Sequence, residues 1–351
     1  MYQPKYTITN EILKNIGTVE ACREVIENAP LVPAWEKRFR EEAVNKTIHY
    51  GTHLEGNDLS FTEATRVLEG QDVVARERDI QEIINYRNVF RFIDQQTEVR
   101  DYTPQLIKKI HALTVHKIIS KDQEGEYRRS GVVLRSSRTG EITFRPPNFI
   151  EVPSLVEDFL AWLNLREARQ IHPVIRAAIA HYVLVAIHPF TEGNGRTARA
   201  FANLVLFAEG YDIKRFFALE ENFDKDAVSY FNCLMQVSGQ SPELERRDLT
   251  PWIEYFSGVL AIELTHIKEK VRKLSVDLKL KGKLGKQVAL SERQMKLVEY
   301  LEEYKEITVP QARQILPMVS DDTLLRDLKD LAKKGIVKKE GKTKAARYIM
   351  R

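Results

Sequence analysis

The chain has little cysteine: its 351 residues include two, Cys22 and Cys233. Two thiols are too few for a disulfide framework or a cysteine-based zinc site, so we expect both to be small buried side chains. Long hydrophobic runs are also lacking, because the apolar stretch 177–187 is interrupted by His181 and is too short for a membrane span. The amino terminus does not combine a basic start with an apolar core and a cleavage site. We therefore expect a cytoplasmic protein with no membrane partner.

Charge is unevenly distributed, although the composition (43% hydrophobic, 30% charged) is that of an ordinary folded protein. Residues 267–351 contain 22 Lys/Arg and 12 Asp/Glu, a net charge of +10. Residues 1–266 contain 32 Lys/Arg and 38 Asp/Glu, a net charge of −6. This asymmetry predicts an acidic main body and a basic tail domain with a partner of its own.

Hydrophobic side chains recur at helical spacing over most of residues 1–266, which predicts a mainly α fold. One helix is expected to begin after Thr103, a favourable N-cap, with Pro104 in its first turn. Another is apolar on nearly every side, so we expect it at the centre of the core. The predicted helices cover 80–94, 103–119, 152–168 and 173–187, the last being the central one.

Residues 131–147 break the helical pattern. Two short β-prone runs flank Thr139-Gly140, and Pro146-Pro147 closes the segment, which predicts a β-hairpin. Farther along, crowded lysines around two glycines predict a linker over 267–290.

The tail, residues 291–351, is predicted to form three capped helices and a two-stranded ribbon, the arrangement of a winged helix-turn-helix domain. The helices cover 291–304, 308–316 and 320–335, with Ser320 as the cap of the third, and the ribbon covers 336–350 with a turn at Glu340-Gly341. Lysines on the ribbon favour contact with DNA, whereas Asp321 and Asp322 at the start of the third helix oppose it. DNA binding and protein docking both stay open for this domain.

A dense group of polar and glycine residues, IHPFTEGNGRTARA, occupies residues 187–200, directly after the predicted central helix. Pro189 stops that helix, and a new helix follows the loop. A loop at a helix amino terminus attracts anions, because unpaired backbone N–H groups and the helix dipole point towards it. Gly193 and Gly195 allow this backbone to approach a phosphate closely.

Five further side chains of this loop suit phosphate chemistry. Arg196 and Arg199 lie three residues apart, so both can reach one polyanion. Asn194 can adopt left-handed geometry or donate to an oxygen atom. Glu192 next to phosphates implies a divalent cation such as Mg²⁺ between them. His188 can accept a proton at neutral pH.

The run HPFTEGNGRTAR, residues 188–199, resembles the signature of the Fic-domain family, His-x-Phe-x-Asp/Glu-Gly-Asn-Gly-x-x-x-Arg. The resemblance implies a Fic-type helical core with a β-hairpin flap over 101–266, preceded by a helical region over 1–100. It also implies transfer of AMP from ATP to a Ser, Thr or Tyr hydroxyl group of a target protein, or of the protein itself.

The resemblance assigns a role to each residue of the motif. It makes His188 the base that deprotonates the hydroxyl group, Glu192 the ligand of Mg²⁺, and Phe190 the anchor of the loop. The residues implied in phosphate binding are Gly193, Asn194, Gly195, Arg196 and Arg199, the last of which reaches the γ-phosphate. Relatives that phosphorylate their targets tend to carry lysine at the position of Gly195, so AMP transfer is favoured here.

The resemblance extends to two segments outside the motif. Ile142, Thr143 and Phe144 in the predicted hairpin resemble the flap that aligns the target segment by strand addition. Tyr230 and Phe231 resemble the residues that flank the adenine base. Both segments are open to a purely structural reading, since a hairpin and a Tyr-Phe pair on a helix also occur in ordinary cores.

Residues 47–57 resemble the family's inhibitory segment, which implies that Glu55 pairs with Arg199. A carboxylate there would occupy the guanidinium group and place negative charge where the γ-phosphate must sit. The family pattern has a hydroxyl side chain four residues before the glutamate, where this sequence has Gly51 followed by Thr52. The inhibitory glutamate is therefore expected, and its supporting hydroxyl group is open.

Other functions stay open at this stage. A related enzyme could use the same glutamate to remove AMP from a target. An ATP-sensing, DNA-binding regulator is a second alternative, although a sensor needs no base at His188. Self-association as a homodimer is left open as well.

Overall fold

The computed structural model describes residues 2–29, 31, 33–96, 99, 101–135, 142–274, 290–341 and 346–350. Most of the predicted linker and the predicted turn at Thr139-Gly140 lie outside these residues. The chain divides into two compact units, which are Met1–Cys22 with Glu42–Thr265, and Arg23–Glu41 with His266–Arg351. Residues 267–274 of the predicted linker are helical, because the helix that begins at Thr250 continues to Leu274. The predicted domain boundaries near residues 100 and 266 stay predictions.

Helices account for most of the chain before residue 275. They are α1 (Asn10–Glu27), α2 (Pro33–His53), α3 (Phe61–Leu68), α4 (Glu77–Asp94), α5 (Pro104–Val115), α6 (Val152–Asn164), α7 (Pro173–Ile187), α8 (Asn194–Ala208), α9 (Leu219–Lys225), α10 (Ala227–Ser238) and α11 (Thr250–Leu274). The four predicted helices are present as α4 to α7, so the prediction of a mainly α body is confirmed.

Helix α7 is the centre of the larger unit, as its apolar sequence predicts. Its side chains are buried on all faces, and it packs against α6 on one side and α8 on another. Helices α4 and α5 pack together and both contact α8. The end of α7 and the start of α8, which enclose residues 188–193, are therefore held by the rigid core of this unit.

Two predicted helices end earlier than expected because polar contacts stop them. Helix α5 ends at Val115, where the amide of Asn85 binds the carbonyl oxygen atoms of Thr114 (3.2 Å) and His116 (2.7 Å). Helix α6 ends at Asn164, whose amide group exchanges two hydrogen bonds of 2.8 Å with the backbone of Tyr102. In both cases the polar partner lies on a distant part of the chain.

The predicted hairpin is present. Strand β1 (Leu134–Arg135) pairs antiparallel with β2 (Ile142–Phe144), with Leu134 opposite Phe144. The cysteine prediction is half right, since Cys22 is buried but Cys233 is half-exposed. Within the described residues, no helix combines the length and the hydrophobicity that a membrane crossing requires.

The tail of the smaller unit contains the three predicted helices and the ribbon. They are α12 (Glu292–Tyr304), α13 (Val309–Ile315), α14 (Asp321–Lys333), β4 (Val337–Glu340) and β5 (Arg347–Met350). A further strand, β3 (Glu306–Thr308), completes an antiparallel sheet of order β3-β5-β4. This three-residue strand carries too short a pattern to be predicted. Ser320 precedes α14 as expected, but its hydroxyl group contacts that of Thr323 (3.0 Å) and does not cap the helix backbone.

Candidate active site

His188 lies at the carboxyl end of α7 in a left-handed conformation, with φ of 51° and ψ of 60°. Pro189 disfavours the helical conformation of the residue before it, and a side chain in left-handed geometry costs about 1–2 kcal/mol. The Nδ1 atom of His188 is 3.3 Å from the carbonyl oxygen of Val185. If Nδ1 carries the proton of this contact, Nε2 is left as the basic atom. Burial lowers the pKa of His188 to about 4, so the ring is neutral at pH 7.

Arg128 holds the strained turn at His188 in place. Its Nε donates to the carbonyl oxygen of His188 (2.8 Å), and Nη2 donates to that of Pro147 at the base of the hairpin (2.6 Å). The backbone N–H of Arg128 donates to the carbonyl oxygen of Pro189 (2.9 Å). This buried arginine therefore connects the histidine turn to the hairpin.

The loop between α7 and α8 is shaped from inside by Asn194. Its side-chain oxygen accepts from the N–H of Phe190 and its amide donates to the carbonyl oxygen of Phe190, both at 2.9 Å. Asn194 is the first residue of α8 and is helical, so of the two expected alternatives the structure has donation to an oxygen atom, that of Phe190, and not left-handed geometry. Gly193 has that geometry, with φ of 75°, and a Cβ atom there would lie 2.6 Å from a methyl group of Val115.

His111 of α5 is a part of the site that the sequence analysis misses. Its Nδ1 accepts from the N–H of Gly125 (3.0 Å), so the proton is on Nε2, which donates to the carbonyl oxygen of Glu192 (3.0 Å). The imidazole stacks on the buried ring of Phe190 with ring centroids 3.7 Å apart. Burial lowers its pKa to about 4. A neutral histidine thus fixes the backbone of the loop, and Phe190 is the anchor that the family resemblance implies.

Arg199 is 1% exposed and is paired with Glu55, the pairing that the family resemblance implies. Nη2 of Arg199 lies 3.0 Å from Oε1 of Glu55 and donates to the carbonyl oxygen of Gly51 (2.8 Å). Burial opposes the charge on both groups. Burial is the largest single effect on the pKa of each group. At Glu55 it is outweighed by the charges of Arg199 and Arg196 together with the hydrogen bond from Arg199, so the pKa is lowered. At Arg199 the charge of Glu55, with Tyr230 and Tyr86, outweighs burial and raises the pKa. The contact between Glu55 and Arg199 is therefore an ion pair.

The backbone of Gly51 supplies the support that the family pattern assigns to a hydroxyl group. The hydroxyl group of Thr52 donates to the carbonyl oxygen atoms of Ile48 and His49 inside α2, so it does not reach Arg199. A Cβ atom at position 51 would collide with the ring of Tyr86. Glycine at this position thus allows α2 to approach α4 closely enough for the carbonyl group to bind the arginine.

Gly195 leaves room for the Glu55 carboxylate, a role that the sequence does not predict. A Cβ atom at position 195 would collide with Oε1 of Glu55 and lie 3.2 Å from Nη1 of Arg199. The ion pair therefore occupies the space directly over the start of α8. A side chain at position 195 is incompatible with this position of the Glu55 carboxylate.

Arg196 and Glu82 connect the loop to the inhibitory segment. The guanidinium group of Arg196 is 3.2 Å from Oε1 of Glu82, and Oε2 of Glu82 accepts from the amide of Asn57 (3.0 Å). Arg196 and Glu82 are 3% and 4% exposed. Within the described residues, the buried Nε atoms of Arg196 and Arg199 have no hydrogen-bond partner. Two buried arginines with unused donors are suited to a bound polyanion.

Glu192 is the one acidic residue of the loop 188–193, and its side chain is 33% exposed. Its Oε1 contacts Nη2 of Arg78, a residue of α4, and lies 3.8 Å from Nη2 of Arg196. The sequence motif makes Glu192 a candidate cation ligand, whereas Arg78, 114 residues away, lies outside any motif.

Glu220 is a buried carboxyl group beneath the inhibitory segment, and the sequence analysis misses it as well. Its side chain packs against Gly51 and accepts from the amide of Asn203 (2.9 Å). Burial raises its pKa to about 7. A group that titrates near neutrality thus lies close to the ion pair.

A pocket of about 130 Å³ opens beside the ion pair. Its lining combines residues of the loop, the hairpin and α10 with Glu55 and His188. The lining residues include Glu55, His188, Gly195, Phe144, Tyr230 and Phe231. Most of the remaining lining is aliphatic, which suits a flat apolar base.

The predicted adenine and flap residues occupy different positions around this pocket. Tyr230 is 1% exposed, and its hydroxyl group is 3.4 Å from Nη1 of Arg199 and 3.1 Å from Nε2 of His181. Phe231 is 43% exposed and lies on the pocket wall. Tyr230 therefore supports the arginine, and Phe231 is the candidate for stacking.

Of the flap positions, Ile142 and Phe144 lie on β2, with Phe144 lining the pocket. Thr143 lies between them, and its side chain is outside the described residues.

Comparisons with known proteins agree with this geometry. Residues 101–206 match the model of the Fic/DOC family. The chain is similar to proteins named protein adenylyltransferase Fic from Aedes aegypti (33% identity over 179 residues) and Drosophila melanogaster (31% over 178 residues). These alignments cover 50% of this chain and 34% and 35% of the relatives. The chain thus spans about a third of the length of the curated relatives it matches.

Solved structures have a similar fold. A Fic family protein from Desulfovibrio desulfuricans has a TM-score of 0.68 and 22% identity, covering 100% of this chain and 98% of that chain. A Fic domain containing signaling protein from Bacteroides thetaiotaomicron has a TM-score of 0.62 and 25% identity, covering 75% of this chain and 97% of that chain.

The role of His111 leads to a prediction about stability. His111→Phe keeps an aromatic ring against Phe190 but leaves the N–H of Gly125 and the carbonyl group of Glu192 without partners. We expect the free energy of unfolding to fall by about 2 kcal/mol or more in chemical denaturation. His116→Phe is the matched control, because that side chain is 51% exposed, and it should change the value by less than about 1 kcal/mol. Equal losses in the two variants would contradict the role given to His111.

Proposed function

We propose, on the premise that residues 101–206 form a Fic/DOC-family domain, that the protein is an adenylyltransferase held in an inhibited state. It transfers AMP from ATP to a hydroxyl side chain of a target protein. The observation that carries this proposal is the ion pair between Glu55 and the buried Arg199, beside a pocket that also contains His188. The carboxylate stands where an anionic ligand would satisfy the arginine.

The residues of the site suit the chemistry of this transfer. A hydroxyl oxygen of the target attacks the α-phosphorus of ATP, and its proton passes to Nε2 of His188. The bond between the α-phosphorus and the bridging oxygen breaks, and pyrophosphate leaves. The neutral ring of His188 is ready to accept that proton at pH 7. Positioning and charge neutralisation supply most of the remaining catalysis in such transfers.

The phosphates are held by the start of α8. The backbone from Gly193 to Gly195 faces the α- and β-phosphates, and the unused Nε donors of Arg196 and Arg199 are available to their oxygen atoms. Asn194 contributes by shaping this loop, since both ends of its amide bind Phe190. Its role in nucleotide binding is therefore indirect.

Glu192 suits Mg²⁺, which is a hard cation that prefers carboxylate and phosphate oxygen atoms. Its partly exposed carboxylate already contacts a positive group, Arg78. Bound Mg²⁺ would neutralise phosphate charge, with Glu192 as its protein ligand. The predicted need for this cation stays a proposal.

Inhibition follows from the position of Glu55. While the carboxylate holds Arg199, the γ-phosphate meets negative charge in place of a guanidinium group. ATP then binds in a pose unsuited to attack at the α-phosphorus. Removal of the carboxylate should release Arg199 for the nucleotide.

The hairpin and the tail suggest where partners would bind. Strand β2 is suited to align a target segment, because it forms a two-stranded sheet with β1 next to the pocket. In the tail, Arg326 and Lys329 are exposed on α14, but so are Asp321 and Asp322 at its start. DNA contact, a homodimer and a cytoplasmic location stay predictions.

Glu55 and His188 give the proposal its direct test. We expect Glu55→Gly to increase AMP incorporation by at least about tenfold, because a charge-assisted contact of about 1.5–3 kcal/mol no longer competes with the nucleotide. Incubation with ATP labelled on the α-phosphate, followed by mass measurement of the protein and of candidate targets, detects the product. His188→Ala in the Glu55→Gly background should abolish the labelling.

The same experiment separates the alternatives. Label from the γ-phosphate would indicate phosphorylation, and loss of AMP from a modified target, dependent on Glu55, would favour an AMP-removing enzyme. Unchanged labelling in Glu55→Gly would contradict inhibition by the Glu55 carboxylate.

The pH dependence tests His188 as the base. Its lowered pKa of about 4 means that the neutral form persists far below pH 6.5. Activity should therefore be lost only as the pH falls through about 4. In Glu55→Gly the acid limb of kcat/KM should lie well below pH 6.5, because loss of the carboxylate removes a charge that raises the pKa. If the kcat/KM profile of Glu55→Gly instead falls near pH 7, and this fall disappears when Glu220→Gln is combined with Glu55→Gly, the titrating group is Glu220. A limb near pH 6.5 that persists in the double variant would contradict the assignment.

A further inference from the structure

The carboxylate of Glu192 already has a cationic partner in the chain. Nη2 of Arg78, in the first turn of α4, contacts Oε1 of Glu192. The Nε atom of the same guanidinium group donates to Oε1 of Glu82 (3.2 Å). Arg78 therefore bridges the loop acid and the buried acid that pairs with Arg196.

These four residues form a charge-balanced group. Two arginines, Arg78 and Arg196, face two carboxylates, Glu82 and Glu192, with separations of up to 3.8 Å. Adding a divalent cation at Glu192 would bring two positive charges against two guanidinium groups. Such an approach is unfavourable unless further negative charge arrives with the cation or an arginine leaves.

Arg78 is the member of the group that can leave. Its side chain is 56% exposed, whereas those of Arg196 and Glu82 are 3% and 6% exposed. An exposed ion pair contributes little to stability, so its rupture is easy. Arg196 has no comparable path to solvent without disturbing the core.

The protein ligands around Glu192 are few. Among the residues that the structure describes, no group of three or more His, Cys, Asp or Glu side chains is arranged to hold a metal ion. A cation at Glu192 would complete its coordination with phosphate oxygen atoms and water, which is how Mg²⁺ is commonly held at nucleotide sites.

We infer that Arg78 sets the order in which ligands bind. Its guanidinium group pairs with the Glu192 carboxylate in place of a divalent cation, and it leaves the carboxylate when a triphosphate arrives together with that cation. This inference rests on the proposed function, because it assumes that Glu192 serves a metal–nucleotide complex. Arg78 suppresses binding of the free cation, and the negative charge of the nucleotide reverses that preference. Arg78 acts through Glu192 and is a positioning residue.

Binding of Mn²⁺ to the full chain without nucleotide tests the inference. Mn²⁺ is the probe, and its free concentration is followed by electron paramagnetic resonance. Arg78→Gln should bind Mn²⁺ about fivefold more tightly than the unmodified protein, because the competing guanidinium group is gone. Arg78→Gln combined with Glu192→Gln should lose the gain. Arg78→Lys keeps a positive charge and should stay close to the unmodified protein.

Arg76→Gln is the matched control. Arg76 is 60% exposed and pairs with Asp58 and Asp79, so its loss removes a nearby positive charge that does not contact Glu192. Its Mn²⁺ affinity should stay within about twofold of the unmodified value. Equal gains in Arg76→Gln and Arg78→Gln would reduce the effect to net charge and overturn the inference.

Two further outcomes overturn the inference. One is an Mn²⁺ affinity that is unchanged in Arg78→Gln, provided that thermal unfolding shows this variant to be folded. The other is a gain in Mn²⁺ affinity that persists when Glu192→Gln is combined with Arg78→Gln. The titration contains no nucleotide and no transfer reaction. Its result is therefore separate from the AMP-labelling result, and either can fail alone.

Discussion

A buried guanidinium group needs an anion, and in this protein that need falls on Arg199. The side chain is 1% exposed, and its charge would be costly without a nearby negative group. Glu55 supplies that group from the inhibitory segment. A triphosphate would supply another, so the two compete for one arginine. In the proposed function, inhibition and nucleotide binding are therefore the same electrostatic interaction of Arg199 with different partners.

The competition depends on close backbone approaches. Gly51 lets α2 reach Arg199 past the ring of Tyr86, and Gly195 leaves the space that the Glu55 carboxylate occupies. Glu82 adds a second connection, since it binds both Asn57 after the inhibitory glutamate and Arg196 in the loop. A movement of the segment that contains Glu55 and Asn57 would therefore change the surroundings of both Arg196 and Arg199.

The sequence predicts the parts of this site that are local in the chain. The motif at 188–199 places a base, an acid and two arginines around one turn, and the periodicity of α7 places that turn at the end of a buried helix. Contacts across the chain carry no comparable signal. His111, Glu82 and Arg78 are single polar residues on amphipathic helices, and they become parts of the site because α4 and α5 pack against α8. The contact of the Gly51 carbonyl group with Arg199 is equally unpredictable from the sequence, because every residue has a backbone carbonyl group.

Calorimetric titration of the unmodified protein and of Glu55→Gln with ATP and with AMP, in Mg²⁺, tests the competition for Arg199 most directly. AMP lacks the phosphates that would reach this arginine, and glutamine keeps the size of the side chain without its charge. The account predicts that Glu55→Gln strengthens ATP binding by at least about tenfold and leaves AMP binding within about twofold. Equal changes for the two nucleotides, or no change for ATP, would contradict it.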